Sequence, residues 1–235
     1  MKLSIVIPAY NEAMRIENTL SGIKSFMDNK KISYEVIVVD DGSTDETSKI
    51  SKKSSLAKAG CLKVLKNDNN SGKGYSVKRG VDEASGELIL FSDADMSTPI
   101  DEFDNLSKML DDGFDVVIGS RALGSSDVII KQPFYRQTMG RIFNFVLHTL
   151  LGEKFKDTQC GFKLFTKNAA KNIFKEISID GFAFDVEALS IARKYGYKIV
   201  EVGVKWENSN GSKVHPVLSS LEMLRDIIRV KLNDQ

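Results

Sequence analysis

The sequence predicts an α/β protein with a mostly parallel sheet flanked by helices, and three observations lead there. Short apolar runs rich in β-branched residues recur, such as LSIVIP (Leu3 to Pro8), and read as strands buried on both faces. Between them, apolar residues fall three or four positions apart, the stripe of an amphipathic helix. The two kinds of segment alternate, which calls for right-handed crossovers and a sheet covered on both sides. A chain of 235 residues, 42% hydrophobic, can bury such a core as a single domain over residues 1–235.

In order, Leu3 to Pro8 is the first strand, and Ile16, Leu20, Ile23 and Met27 mark the helix that follows. Tyr34 to Val39 is the second strand. Ser43 or Thr44 is expected to cap the next helix, with Glu46 or Thr47 in its first turn. SLAKAG (55–60) and LGSSD (123–127) read as loops. The strand CLKVLKN, the helix GYSVKRGVDEASG, the strand ELILFSDAD, the helix PIDEFDNLSKMLDDG and the strand DVVIGS carry the alternation forward. No internal repeat or low-complexity tract interrupts it.

Ligands on such sheets gather at the carboxyl ends of the strands. There the sequence places PAYNE (Pro8 to Glu12), VDDGS (Val39 to Ser43), SDAD (Ser92 to Asp95) and GSR (Gly119 to Arg121). One aspartate after a strand is commonly a cap or a turn residue. Polar clusters at four strand ends point to a site. Asp93 and Asp95, two positions apart, can aim both carboxylates at one cation or sugar diphosphate, and hard oxygen donors suit Mg²⁺ or Mn²⁺. NNSGKGYS (Asn69 to Ser76) is not a P-loop: Asn67 stands where the first glycine should, and Gly74 follows Lys73 where Ser or Thr is required. Lys73 is then either a cation beside the carboxylates or a solvated lysine in a turn.

Composition removes several function classes. With 33 basic and 32 acidic side chains the formal net charge is +1, so no global field draws the chain to nucleic acid. Cys61, Cys160, His148 and His215 are too few and too scattered for a structural zinc site. No basic leader with an apolar core opens the sequence, and no apolar run reaches eighteen residues. The expectation is a cytoplasmic protein with reduced thiols, neither exported nor membrane-spanning.

SIVIPAYNE, VIVVDDGSTD, NSGKG, FSDAD, GSR and DTQCGFKLF stand in the order found in family 2 glycosyltransferases with the GT-A fold. The later stretches DTQCGFKLFTKNAAKNIF, GFAFDVEAL and VKWENSNGSKV narrow the resemblance to the polyprenyl-phosphate glycosyltransferases. These include the dolichyl-phosphate β-glucosyltransferases, which those stretches resemble, and the dolichyl-phosphate mannose synthases. The resemblance covers roughly residues 3 to 230. It implies a nucleotide-sugar-binding half, about 1–120, and an acceptor-binding half, about 121–235.

By the resemblance, Pro8, Tyr10, Glu12, Val39 and Asp41 hold the nucleoside, with Asp41 accepting from the base. Lys73, Asp93, Ala94 and Asp95 complete the donor site, Asp93 and Asp95 binding ribose, metal and diphosphate. Arg121 and Lys213 match phosphate-clamping positions, and Arg136 is a further candidate for the acceptor phosphate or else a surface arginine. Ser97 stands where the mannose synthases carry glutamine, which leaves the third protein ligand of the metal to water. Glu207 stands where they carry arginine, which favours UDP-glucose over GDP-mannose.

The implied acceptor is a lipid monophosphate, already anionic near neutral pH, so it needs alignment more than deprotonation. If a general base operates, Asp157 is the first choice and the Asp185/Glu187 pair the second; a structural hydrogen-bonding role suits each equally well. In-line attack inverts the anomeric carbon. A soluble-acceptor transferase or a nucleotide-sugar sensor without turnover are the competing readings. RIFNFVLHTLLG (141–152) and PVLSSLEMLRDIIRVKL (216–232) can lie on a membrane surface as amphipathic helices, or serve as core or homodimer helices. The implied location is the cytosolic face of a membrane, peripherally.

Overall fold

The computed structural model describes residues 2–130 and 155–207, together with 223, 225 and 226. Strand β1 (Lys2–Ala9) lies between two parallel neighbours, β2 (Ser33–Asp40) and β4 (Leu88–Ser92), and β2 pairs in turn with β3 (Leu62–Lys66). Helix α1 (Ile16–Asp28) connects β1 to β2, α2 (Thr47–Lys53) and α3 (Ser55–Lys58) connect β2 to β3, and α4 (Lys73–Glu83) connects β3 to β4. A 3₁₀ turn at Ile100–Glu102 and α5 (Phe103–Asp111) lead to β5 (Val116–Ser120). After β6 (Asp127–Ile130) come β7 (Phe162–Thr166), α6 (Lys167–Glu176), α7 (Phe184–Lys194), β8 (Ile199–Gly203) and β9 (Lys205–Glu207).

The seven-stranded sheet runs β3-β2-β1-β4-β7-β5-β8, and β6 and β9 form a separate two-stranded ribbon. All pairings in the large sheet are parallel except those of β7, which is antiparallel to β4 and to β5. A strand from the second half of the chain thus fills the gap between β4 and β5. Apolar side chains alternate between the faces, giving one core on each. Ile16, Leu20, Ile23, Phe103 and Leu106 of α1 and α5 close one face over Ile5, Ile7 and Leu90. Val77, Val81, Phe174, Phe184 and Leu189 of α4, α6 and α7 close the other over Val6, Val39 and Phe91. Doubly covered strands explain the unbroken apolar runs of β1, β2 and β4.

Two local elements differ from those the sequence predicts. SLAKAG is not simply a loop: Ser55–Lys58 is a helical turn capped by Ser54, whose hydroxyl accepts from the Ala57 N–H at 3.3 Å. The second helix starts at Thr47, later than a Ser43 or Thr44 cap would give. The reason is competition. Asn11, in the left-handed region at φ 53, takes the N–H of Thr44 on its side-chain oxygen at 2.9 Å and donates its own N–H to Ser43 Oγ at 2.9 Å. Asp45 then accepts from the Thr47 N–H at 3.0 Å and opens the helix instead.

Candidate active site

The carboxyl ends of β1, β2, β4 and β5 carry the polar clusters, and the loops behind them fix each side chain. At the end of β2, Asp41 is 4% exposed. One carboxylate oxygen accepts from Asn67 Nδ2 at 2.7 Å and the Ser71 N–H at 2.9 Å, the other from the Gly72 N–H at 2.9 Å. Asp41 therefore organises the loop 67–72, which delivers Lys73 to the start of α4. Gly72 has φ +107 and packs against the Asp180 carbonyl, which also accepts the Gly74 N–H at 2.7 Å. A Cβ on Gly74 would collide with the Ile179 carbonyl and with Phe184 Cβ. These contacts, not phosphate cradling, account for the two glycines of NSGKG.

Lys73 Nζ lies 2.7 Å from Asp93 Oδ1 and over the rings of Phe91 and Phe182. Burial alone would push the Lys73 ammonium down. Asp93, Asp185 and Asp95 outweigh it, so the lysine is held above its usual range and stays charged. Asp93 is set by the turn before β7: its N–H donates to the Gly161 carbonyl at 3.0 Å, and its carboxylate lies where a Cβ of Gly161 would be. Two residues on, Asp95 Oδ1 accepts the Ser97 N–H at 3.0 Å, and Met96 between them adopts φ 50. The chain thus turns sharply there, keeping both carboxylates at the strand end. Asp95 also borders a cavity of about 390 Å³ that runs along α1 past Arg15 and Asn18 to Asp101.

Arg121, just past β5, is gripped by Asp157. Nε donates to Oδ2 at 2.7 Å, Nη2 to Oδ1 at 2.8 Å, and the Arg121 N–H to Oδ2 at 2.9 Å. The Trp206 ring lies 5.6 Å from the guanidinium carbon. Glu201 on β8 holds the loop from behind, accepting the N–H groups of Lys156 and Asp157 at 3.0 and 2.8 Å. Burial would raise the Asp157 carboxyl, but Arg121 and its hydrogen bonds prevail and keep it below the usual range. A carboxylate so engaged is an anchor for an arginine and a poor proton acceptor near neutral pH. The alternative base candidates are also occupied. Asp185 is paired with Lys163 at 2.6 Å, and Glu187 accepts from the Ser178 hydroxyl at 2.8 Å and from the Ile179 N–H at 2.9 Å.

The structure thus pairs Lys73 with Asp93 and Arg121 with Asp157, and the negative charge of Asp93 also favours the charged guanidinium. Tyr10, 37% exposed, and Glu12 stand on the loop after β1, with Glu12 paired to Arg15 at 2.7 Å and its N–H donating to Thr47 Oγ1 at 2.7 Å. Pro8 is buried in β1. Val39 is fully buried against Val6 and α4, and Ala94 is 5% exposed with its carbonyl accepting from the Thr19 hydroxyl at 2.6 Å. Both support the site from beneath, without offering side-chain surface. Arg136, Lys213 and the segments 141–152 and 216–232 lie outside the described residues. Asn67, Gly161, Lys163, Glu201 and Trp206 are contributors that motif reading passed over. A lysine inside the apolar strand FKLF was the one visible signal among them.

The glycosyl transferase family 2 profile matches residues 4–174. The chain belongs to that family. As a family 2 member it is 39% identical over 240 residues to the dolichyl-phosphate beta-glucosyltransferase of Dictyostelium discoideum, covering 97% of this chain and 73% of the relative. It is 36% identical to the Homo sapiens enzyme of the same name, covering 98% and 75%. Among solved structures it is similar to mannosyl-3-phosphoglycerate synthase of Rubrobacter xylanophilus, with a TM-score of 0.71 at 20% identity over 97% of this chain and 73% of that one. Glucosyl-3-phosphoglycerate synthase of Mycobacterium tuberculosis, in complex with Mn²⁺, UDP and glucosyl-3-phosphoglycerate, gives 0.69 at 21% identity over 99% and 79%. At those identities the two structures establish the GT-A fold alone. No helix among the described residues is long and apolar enough to cross a membrane.

Proposed function

We propose that this glycosyltransferase moves glucose from UDP-glucose to a polyprenyl phosphate of the dolichyl type, with inversion at the anomeric carbon. Support for the sugar and the lipid comes from relatives named for that reaction. The observation that carries the chemistry is the state of the carboxylates. Asp157, Asp185 and Glu187, the candidate proton acceptors, are each committed to a cation or to backbone N–H groups. A hydroxyl acceptor needs a base, whereas a phosphate monoester, with a second pKa of about 6, arrives as a nucleophile. The site is built to arrange charge, which is the larger part of what such a transfer requires.

Asp93 and Asp95 fit a divalent cation by donor type, two hard oxygens at one strand end. No group of three His, Cys, Asp or Glu side chains among the described residues could hold one alone, so diphosphate and water oxygens would have to complete the set. Mg²⁺ or Mn²⁺ bound there offsets the charge that grows on departing UDP. Lys73, now paired with Asp93, adds a second positive charge on the donor side. Arg121 spends Nε and one Nη2 hydrogen on Asp157 and presents its remaining N–H groups to a phosphate, its plane fixed by the fork. Lys213 and Arg136 are proposed as further phosphate contacts, Arg136 for the lipid. Asp41 is proposed to orient the base, through the loop it builds and its own edge, and the halves at about 1–120 and 121–235 divide donor from acceptor. The segments 141–152 and 216–232 are proposed to meet the cytosolic membrane surface.

The test is UDP release from UDP-glucose with and without a short polyprenyl phosphate. Release should depend on the lipid and on Mg²⁺ or Mn²⁺, and vanish in EDTA and in Asp95→Asn, while circular dichroism is unchanged. Undiminished turnover in either condition contradicts the metal site. Turnover with GDP-mannose alone would move the donor assignment to the mannose synthases.

A further inference from the structure

Lys163 is the second residue of β7, between Phe162 and Leu164, and is 1% exposed. Its Nζ donates to Asp185 Oδ1 at 2.6 Å and to the Cys160 carbonyl at 2.5 Å, and lies 5.7 Å from the Phe91 ring. The two side chains of the ion pair are 1% and 4% exposed. Such a pair is a weak source of stability, because desolvation offsets most of the attraction and apolar residues of similar volume often serve as well. Its location suggests another use.

The carbonyl held by Lys163 belongs to the residue before Gly161. Gly161 in turn accepts the Asp93 N–H and forms the floor beneath the Asp93 carboxylate. Asp185 lies in the first turn of α7, where its Oδ1 takes the Lys163 ammonium. The helix start favours a carboxylate there. Lys73 sits over the same Phe91 ring, 5.2 Å from its centroid. One buried pair therefore touches the turn that shapes Asp93 and shares the Phe91 ring with the lysine paired to it.

We infer that Lys163 and Asp185 are positioning residues for nucleotide-sugar binding: Lys163 holds the Cys160–Gly161 turn against Asp93, and Asp185 fixes the Lys163 ammonium in that place. This rests on the reading of Asp93 as a donor-side group. Neither residue reaches the sugar; both act through the Cys160–Gly161 turn and Asp93.

The probe is UDP with Mn²⁺, measured by calorimetry on the full chain alongside thermal unfolding. Lys163→Met combined with Asp185→Leu removes both charges together and should melt close to the parent. UDP affinity should nevertheless fall at least tenfold. Asp185→Asn, nearly isosteric and able to accept from Lys163, is the second variant, expected to lose affinity about threefold to tenfold; Asp185→Glu, which restores the charge, should recover part of it. Folded variants that bind UDP as the parent does overturn the inference, as does unfolding of both Asp185→Asn and the double variant, which would mark the pair as structural. A parent protein that does not bind UDP with Mn²⁺ overturns the donor reading and this inference with it.

Discussion

Replacing Gly161 with alanine tests the placement of Asp93 with a single methyl group. An ideal Cβ on Gly161 would lie among the Asp93 carboxylate atoms, and even the farthest of its three contacts, Oδ1, would be 2.7 Å away, where ordinary contact begins at 3.4 Å. The carboxylate must therefore move by roughly 1 Å, and a misplacement of that size in a reacting or binding group costs about a hundredfold in rate. The backbone gives no separate reason for glycine, since Gly161 is not among the positive-φ residues. Alanine there would otherwise be neutral or stabilising by about 0.4–1 kcal/mol. Asp93 is one-third exposed, so its side chain has somewhere to go and the fold should survive. The assay is lipid-dependent UDP release, with thermal unfolding as the control. Gly161→Ala should lose about a hundredfold in turnover at near-parental melting temperature, and should cost little more in a background already carrying Asp93→Ala. Activity within threefold of the parent, or full additivity with Asp93→Ala, would refute the reasoning.

Two further predictions concern Asp157 and Asp41, and a third concerns pH. Asp157→Asn should destabilise by roughly 2 kcal/mol in urea unfolding, below the 3–5 kcal/mol of a fully buried pair because the Arg121 side chain is 31% exposed, and should weaken transfer by freeing the guanidinium. Asp41→Ala should lower UDP affinity at least tenfold by calorimetry, since it releases Asn67, Ser71 and Gly72 together; an unchanged affinity removes Asp41 from the donor site. Both Asp157 and Glu35 have depressed carboxyls. Burial would raise Glu35, but hydrogen bonds from Ser4 and Ser85 bring it to about 2. A depressed carboxyl stabilises the fold above its unfolded value and loses that contribution as pH falls toward the folded one. Melting temperature should therefore hold between pH 8 and pH 5 and fall from about pH 4.5 toward 2, with a shallower fall in Glu35→Gln.

The parallel core of the fold was legible because β1, β2 and β4 are buried on both faces and so read as unbroken apolar runs ending in polar residues. The same logic put Asp93, Asp95, Asp41 and Arg121 at strand ends, and the structure has them just past β4, β2 and β5. What sequence could not supply was long-range partnership. Nothing local tells that Asp157 closes on Arg121 from 36 residues away, or that β7 runs antiparallel between β4 and β5. The start of α2 was misjudged because Asn11, on another loop, takes the N–H of Thr44. Gly161 was in plain view within DTQCGFKLF, but a glycine required by a neighbour's carboxylate looks the same as one required by a turn. Lys163 broke the apolar pattern of its strand, and only its buried partner, Asp185, makes sense of the charge.

The most direct measurement is the structure of the product formed from UDP-glucose and a short polyprenyl phosphate in Mg²⁺ or Mn²⁺, read from the anomeric proton by NMR. Glucose joined through a β linkage to the lipid phosphate, with UDP released in equal amount, is the expected result. An α-linked product, free glucose without lipid conjugate, or transfer only to hydroxyl acceptors would contradict an inverting, phosphate-directed site.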